Sequence, residues 1–137
     1  MKRILIVEDS RVTREITKVY LIAKDVEVLE AVDGQEALEK IRASPPDLVL
    51  ADLLMPRLDG AGLCAALAHD PDTRDLPVVI LTASRDPAAI GRAVASGARV
   101  VLHKPIQPHE LLDIMRPYLA PCATAAHLVG WRRGGRA

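Results

Sequence analysis

Two hydrophobic patterns alternate along the chain, and each of them recurs five times. Short continuous runs of Val, Ile and Leu are typical of strands that are buried on both faces of a parallel sheet. Segments with apolar residues three and four positions apart separate these runs and are typical of amphipathic helices. The pattern predicts five strands, at Ile4–Val7, Val26–Glu30, Leu48–Asp52, Val78–Thr82 and Val100–His103.

The intervening helices are predicted from capping residues and from their apolar faces. Asp33 and Glu36 have the spacing of a capping box, and the Pro45–Pro46 pair ends the helix that they begin. Pro87 suits the first turn of the fourth helix, and Gly97 suits its end. The other helical positions are Val12, Ile16, Val19, Tyr20 and Ala23 on one face of the first helix, Leu63, Ala66 and Leu67 in the third, Ile90 to Ser96 in the fourth, and Leu111, Leu112, Met115 and Leu119 in the fifth.

This order of elements, (βα)5, predicts an α/β fold with a parallel sheet and helices on both of its faces. Ligands of such folds bind beyond the carboxyl ends of the strands, where the strand order reverses. The 137 residues suit one domain with a substantial core. We expect this domain over residues 1–120 and a short basic tail over residues 121–137, which is too short to form an output domain.

The amino-acid composition excludes two classes of protein. Half of the residues are hydrophobic and the formal net charge is zero, which excludes a disordered chain and a strongly basic one. The three arginines of residues 121–137 are interpreted as part of a frayed terminus or, alternatively, of a small docking motif.

Cys64 and Cys122 lack metal-site spacing and are interpreted as free thiols, with one disulfide as the alternative. No apolar run is long enough for a signal peptide or a membrane span, so we expect a cytoplasmic protein.

Polar side chains follow four of the predicted strands at their carboxyl ends. The first strand runs into Glu8 and Asp9, the third ends in Asp52, the fourth ends in Thr82, and the fifth runs into Lys104. Each residue alone has an ordinary explanation, such as a helix cap or a strand end, but their joint occurrence at one edge favours a site. Three close carboxylates repel one another unless a proton or a cation relieves the repulsion. Such oxygen ligands suit Mg²⁺, and the ammonium and hydroxyl suit a phosphoryl group.

The segments "ILIVEDS", "DLVLADLLMPRLDG", "VVILTAS" and "HKP" occur in this order and resemble the receiver domain of bacterial two-component response regulators. The resemblance covers about residues 2–120 and implies the flavodoxin-like strand order 2-1-3-4-5, with the ligand between strands 1 and 3. It also implies a cis bond between Lys104 and Pro105. The implied site has Asp52 as phosphoacceptor, Mg²⁺ held by Glu8, Asp9, Asp52 and the backbone carbonyl of Leu54, contacts from Thr82 and Lys104 to the phosphoryl group, and the small Ala83 leaving room for that group.

By the same resemblance, Asp52 receives the phosphoryl group from a sensor histidine kinase or a histidine phosphotransfer protein. The product is an acyl phosphate that hydrolyses slowly, and the phosphorylated protein signals to a downstream target by protein contact. Neither nucleic acid nor a membrane is expected as a partner. Candidate contacts of the kinase are Arg11, Val12, Arg14 and Pro105, although an ordinary solvated face explains the two arginines equally well.

Two of the positions that depart from the pattern of the family bear on its mechanism. Val101 stands where receivers usually carry Tyr or Phe, so we expect no aromatic rotamer switch. Leu54, two residues after Asp52, cannot hydrogen-bond an attacking water and favours a long-lived phosphoryl group, although Ser84 leaves the other side of the site open. Leu54 also argues against a Mg²⁺-dependent aspartyl-phosphate phosphohydrolase, which often carries an acid there. Further alternatives are a receiver fragment of a larger regulator or hybrid kinase, an adaptor that does not depend on phosphorylation, and a flavin-binding protein.

Overall fold

Five parallel strands form a single sheet of order β2-β1-β3-β4-β5, which confirms the expected flavodoxin-like fold. The computed structural model describes residues 1–21 and 25–119. Its strands are β1 Lys2–Val7, β2 Val26–Ala31, β3 Leu48–Asp52, β4 Val78–Thr82 and β5 Val100–His103. Its helices are α1 Arg11–Leu21, α2 Gly34–Ala43, α3 Gly60–His69, α4 Pro87–Ala95 and α5 Pro108–Leu119.

The three central strands carry the buried apolar runs that the sequence predicts. Right-handed crossovers place α1 on one face of the sheet and α2, α3 and α4 on the other, where α3 packs between α2 and α4. The edge strands are less buried, which explains why β2 alternates with the polar residues Glu27 and Glu30. The main core lies between the sheet and α2–α4 and includes Leu5, Val7, Val49, Ala51, Ile80, Leu38, Ile41, Leu63 and Leu67.

The apolar face of α1 is largely turned to solvent. The residues of α1 that the structure buries are instead Thr17 and Leu21. Helical periodicity identifies a shared face, but the packing of the whole helix on the sheet decides which face is covered. Tyr20 is half-buried, and Ala23 lies outside the described residues. The exposed fractions are 69% for Val12, 49% for Ile16 and 63% for Val19.

The predicted caps set the ends of α2 and α4. The Asp33 carboxylate accepts a 2.8 Å hydrogen bond from the Glu36 amide, and the Glu36 side chain accepts one of 2.7 Å from the amide of Val32. Helix α4 starts at Pro87, which confirms this residue in its first turn, and Asp86 caps the helix through the amide of Ala88. The chain leaves α4 through Gly97 at a φ of 114°, a conformation that glycine tolerates best.

The second compact unit of the chain begins at Gln107 and contains α5. Of the four predicted apolar positions in this helix, Leu111 and Met115 are buried, and Leu112 and Leu119 are partly buried. The predicted tail, residues 121–137 with Cys122, lies outside the described residues. Within residues 1–21 and 25–119, no helix is both long enough and apolar enough to cross a bilayer.

Cys64 is a free, buried thiol on α3. Burial raises its pKa to about 12, because the thiolate would lose its hydration, and the carboxylate of Asp59 acts in the same direction. A thiol that stays protonated at neutral pH is a poor nucleophile and a poor metal ligand. Cys64 therefore acts as a small apolar residue of the core.

Gly60 opens α3 directly behind the end of β3, and its missing side chain allows a close backbone approach. A Cβ at this position would lie 2.5 Å from the carbonyl oxygen of Asp52 and 2.9 Å from the Cα of Leu53. Since both neighbours are backbone atoms, they cannot move aside without shifting β3. Gly91, in the exposed middle of α4, has no atom within 4 Å of the equivalent point.

We expect Gly60→Ala to lower the free energy of unfolding by about 2 to 4 kcal/mol, because the clash displaces backbone. Gly91→Ala is the matched control and should raise the free energy of unfolding by about 0.5 to 1 kcal/mol, because alanine favours the helix. Denaturant unfolding followed by circular dichroism measures both. Equal stability of the Gly60→Ala variant and the unaltered protein would contradict the close approach.

Candidate functional site

Three carboxylates meet at the carboxyl edge of the sheet. Glu8 and Asp9 follow β1, and Asp52 ends β3, the strand that pairs directly with β1. One side-chain oxygen from each residue lies within 4.8 Å of the other two. Glu8 is buried, Asp52 is partly buried and Asp9 is exposed, so the cluster opens to solvent on one side. The strand order reverses at β1, which is where ligands of open parallel sheets bind.

Lys104 supplies the positive charge that the cluster needs. Its Nζ lies 2.8 Å from a carboxylate oxygen of Glu8 and 3.7 Å from one of Asp52. The backbone amide of Lys104 donates to the carbonyl of Thr82 at 2.8 Å, which fixes the end of β5 against the end of β4. The bond between Lys104 and Pro105 is cis, as expected. One ammonium against three carboxylates leaves excess negative charge, which favours a divalent cation.

Asp52 titrates well above an ordinary aspartate. Its pKa rises from 3.8 to about 6, chiefly because burial removes hydration from the charged form. The ammonium of Lys104 opposes this rise, and Glu8 adds to it by repulsion. The amide of Leu53 donates a 2.9 Å hydrogen bond to the Asp52 carboxylate and also favours its charged form. A cation bound beside Asp52 would relieve the cost of this charge.

The remaining predicted site residues surround this cluster. Thr82 is buried on β4, one residue beyond Leu81, which pairs with Asp52. Its hydroxyl oxygen accepts a 2.9 Å hydrogen bond from the amide of Ser84. Among the described residues, the structure does not join the hydroxyl of Thr82 to Asp52 directly. Ala83 is exposed, and the side chain of Leu54 is 54% exposed.

An ion pair between Asp33 and Arg57 joins the start of α2 to the loop that follows Asp52, and only the structure reveals it. The Asp33 carboxylate caps α2 and also accepts a 2.6 Å hydrogen bond from the Arg57 guanidinium, in the loop between β3 and α3. The hydrogen bond from Glu36 and then the charge of Arg57 hold the pKa of Asp33 below its ordinary value. Arg57 has a φ of 66°, which is uncommon for a residue with a side chain. Sequence reasoning identified Asp33 as a cap, but no sequence signal pointed to Arg57.

Arg14 is less exposed than we expected from either interpretation of it, as a candidate kinase contact or as part of a solvated face. Its guanidinium donates a 2.8 Å hydrogen bond to the backbone carbonyl of Glu8 and forms a 3.1 Å ion pair with Glu30. The Arg14 side chain is only 13% exposed, so most of it is unavailable to a partner. The other three predicted kinase contacts are exposed, namely Arg11, Val12 and Pro105.

The donor set fits a hard divalent cation. Carboxylate oxygens on two adjacent strand ends are the protein ligands that Mg²⁺ and Mn²⁺ take, usually together with several waters. Glu8, Asp9 and Asp52 are the residues that could hold such an ion. The residues that could hold an anionic group beside it are Lys104, through its ammonium, and Thr82, through its hydroxyl.

Comparison with known proteins agrees with this geometry. The family model described as "Response regulator receiver domain" matches residues 4–116. The response regulator MprA of Mycolicibacterium vanbaalenii is 40% identical over 117 residues, which cover 85% of this chain and 50% of that protein. The chain therefore spans about half the length of the curated relatives it matches.

Two solved structures show the same fold. The signal receiver domain of a signal transduction histidine kinase from Syntrophus aciditrophicus is 34% identical, with a TM-score of 0.82 over 87% of this chain and 90% of that one. The Mn²⁺-bound form of the response regulator Rcp1 is 26% identical, with a TM-score of 0.73 over 85% of this chain and 90% of that one.

The raised pKa of Asp52 makes the stability of the metal-free protein depend on pH. An unfolded chain loses this proton near pH 3.8, whereas the folded chain keeps it to about pH 6. The charged carboxylate therefore destabilises the fold above pH 6, and this cost fades as the pH falls toward 4. We expect metal-free Asp52→Asn to be more stable than the unaltered protein at about pH 8, by about 1 to 2 kcal/mol.

Denaturant unfolding in the presence of a chelator measures this difference at several pH values. The advantage of Asp52→Asn should shrink as the pH falls and disappear at about pH 3, where the unaltered side chain is protonated in both states. A constant difference between the two proteins across this pH range would contradict the burial cost assigned to Asp52. Asp86→Asn, in an exposed helix cap, is a control for a change of charge alone.

Proposed function

Since the chain belongs to the response regulator receiver domain family, we propose that Asp52 accepts a phosphoryl group and switches the protein between two signalling states. Receiver domains are signalling domains. The proposed donor is a phosphohistidine on a sensor histidine kinase or a histidine phosphotransfer protein. The proposed output is contact with a downstream target protein.

One observation carries this proposal. Glu8, Asp9 and Asp52 converge within 4.8 Å, and the ammonium of Lys104 lies 3.7 Å from Asp52 at the same edge. Phosphoryl transfer requires a positioned nucleophile and neutralisation of negative charge more than it requires covalent chemistry from other residues. The cluster offers a partly exposed carboxylate as nucleophile, the ammonium of Lys104 beside it, and acidic residues that could hold a cation.

The proposed reaction is a displacement at phosphorus. A carboxylate oxygen of Asp52 attacks the phosphorus atom, an O–P bond forms, and the P–N bond to the donor imidazole breaks. The imidazole leaves with the electron pair of that bond. The carboxylate must be charged to attack, and with a pKa of about 6 it is largely ionised at neutral pH. Lys104 would then move from Glu8 and Asp52 toward the new phosphoryl oxygens.

Mg²⁺, when bound, would supply charge neutralisation to the oxygens of the phosphoryl group. Its proposed protein ligands are Asp9, Asp52 and the backbone carbonyl of Leu54, with Glu8 acting mainly through a metal-bound water. The Mn²⁺-bound form of Rcp1, a similar protein, supports a divalent cation in this family. Thr82 is the proposed hydroxyl donor to the phosphoryl group, and the exposed, small Ala83 leaves space for that group.

The face of α1 offers a surface for the phosphoryl donor. Val12, Ile16 and Val19 project into solvent on this helix, and the exposed Arg11 lies at its first turn. An exposed apolar surface of this kind is typical of a protein-binding site. We propose that the donor protein contacts this face of α1 and the exposed Pro105, so that its phosphohistidine reaches Asp52.

The output, the cellular location and the role of residues 121–137 are proposals. The chain spans about half the length of the curated relatives it matches, and the similar receiver from Syntrophus aciditrophicus is part of a histidine kinase. An output by protein contact, without nucleic acid or membrane binding, is proposed for the receiver itself. The expected cytoplasmic location also stays a prediction, as does the expectation that residues 121–137 form a tail without an output domain.

The phosphohydrolase alternative lacks a residue for its chemistry. Such enzymes often place an acid two residues after the nucleophile to protonate the leaving group and activate water. Leu54 occupies this position, and its exposed side chain has no group that could transfer a proton. A phosphoryl group on Asp52 is therefore expected to persist rather than to turn over rapidly.

Incubation with acetyl phosphate or phosphoramidate and Mg²⁺ tests the acceptor. We expect intact-mass spectrometry to find a single added phosphoryl group on the unaltered protein and none on Asp52→Asn. A chelator should suppress the reaction, because the charge on the phosphoryl oxygens is no longer neutralised. No added mass with either donor, together with no Mg²⁺ binding, would overturn the proposed function.

The lifetime of the phosphoryl group tests the role of Leu54. We expect Leu54→Gln to shorten the half-life of the phosphorylated protein by about threefold to tenfold, because an amide can orient an attacking water. Leu54→Met is the matched control, and its half-life should stay unchanged. The loss of added mass with time, after the donor is removed, measures both. A half-life that is the same in all three proteins would contradict this role.

A further inference from the structure

Arg14 contacts the backbone of the candidate cation site at Glu8 and is largely shielded from solvent. One guanidinium nitrogen, Nη1, donates a 2.8 Å hydrogen bond to the backbone carbonyl of Glu8. That carbonyl belongs to the peptide group that joins Glu8 to Asp9, two of the three clustered acids. A second nitrogen, Nε, donates to the carboxylate of Glu30 at 3.1 Å. Arg14 thus bridges the end of β2 and the loop that carries the acidic pair.

Glu30 is itself held in place, so it can serve as an anchor. Its second carboxylate oxygen accepts a 3.0 Å hydrogen bond from Lys18, and its backbone carbonyl accepts one from Lys40. The hydrogen bond from Lys18 and the contact with Arg14 hold the pKa of Glu30 below its ordinary value, so this residue stays charged at neutral pH. The Arg14 guanidinium therefore meets a fixed, ionised partner.

The Glu8–Asp9 peptide is restrained from several sides. The amide of Glu8 donates a 3.0 Å hydrogen bond to the carbonyl of Ala31, at the end of β2. Its side chain is bound by Lys104 through one oxygen and by the amide of Ser10 through the other, the latter at 3.1 Å. Arg14 adds the remaining restraint, on the carbonyl oxygen, and so fixes the rotation of the peptide plane that precedes Asp9.

We propose that Arg14 is a positioning residue for the divalent cation site, holding the Glu8–Asp9 peptide in the orientation that directs both carboxylates toward the site of the ion. This inference rests on the proposed function, because it assumes that Glu8, Asp9 and Asp52 bind the cation. It replaces the prediction that Arg14 serves as an exposed contact for the kinase. The two assignments differ in what they expect from a metal titration without any partner protein.

A substitution of Arg14 can change the affinity of the site for a cation in two opposite ways, one through charge and one through geometry. Removing a nearby positive charge would strengthen the attraction of the acidic cluster for a cation, whereas losing a restraint on Asp9 would weaken binding. Arg14→Lys keeps the charge but lacks the rigid fork that reaches two acceptors at once, so it isolates the geometric effect. Arg11→Lys is the matched control, since Arg11 is an exposed arginine on the same helix.

Titration of the full chain with Mn²⁺, followed by the electron paramagnetic resonance signal of the free ion, measures the affinity directly. We expect Arg14→Lys to raise the dissociation constant for Mn²⁺ by about tenfold, which is the usual size of effect for residues that orient metal ligands. Arg11→Lys should leave this constant unchanged. Glu30→Gln, which removes the charge of the anchor, should raise it by a smaller factor.

The variant with both Arg14→Lys and Glu30→Gln should bind Mn²⁺ no more weakly than Arg14→Lys alone, because the two residues act through one contact. If Arg14→Lys does not fold, as judged by circular dichroism, Glu30→Gln decides the question. Equal Mn²⁺ affinity of the folded variants and the unaltered protein would overturn the positioning role. An unaltered protein that binds no Mn²⁺ would overturn the proposed function, and this inference with it.

Discussion

The mutual repulsion of Glu8, Asp9 and Asp52 is the constraint on which the architecture of the site depends. Oxygens from three carboxylates lie within 4.8 Å of one another, and two of these residues are at least partly buried. Such a cluster persists only where the fold holds its loops firmly and supplies a counter-charge. Lys104, which follows the last strand of the sheet, supplies that charge across the edge. The site therefore depends on pairings across the whole sheet rather than on one local motif.

The corner between β2 and α2 restrains the loops on both sides of the cluster. On one side, Glu30 anchors Arg14, which holds the carbonyl of Glu8. On the other side, Asp33 binds Arg57 in the loop that follows Asp52. This loop is also fixed where the amide of Gly34 donates to the carbonyl of Leu58 at 3.1 Å, an approach that a Cβ on Gly34 would block. Residues of β2 and of the corner after it, none of which belongs to the acidic cluster, thus restrain the loops beside the cluster.

The sequence was sufficient to predict what local chemistry and periodicity determine. Buried parallel strands require unbroken apolar runs, so the bounds of β3, β4 and β5 could be predicted to the residue. The strand order came from the resemblance, and the site came from the polar residues at the strand ends. The exposed face of α1 and the partly buried position of Arg14 could not be predicted in this way. Periodicity reports that residues share a face, but only the assembled sheet decides what covers that face or which carbonyl an arginine reaches.

A chain of hydrogen bonds connects Thr82 to α4, and no aromatic side chain takes part in it. Val101 packs against the core and has no ring that could change position. The hydroxyl oxygen of Thr82 accepts from the amide of Ser84, and the hydroxyl of Ser84 accepts from the amide of Asp86, the cap of α4. A Thr82 hydroxyl drawn toward a phosphoryl group on Asp52 would weaken the first of these contacts. The effect would then pass through the loop to the first turn of α4, which relies on the Asp86 cap for its unpaired amides.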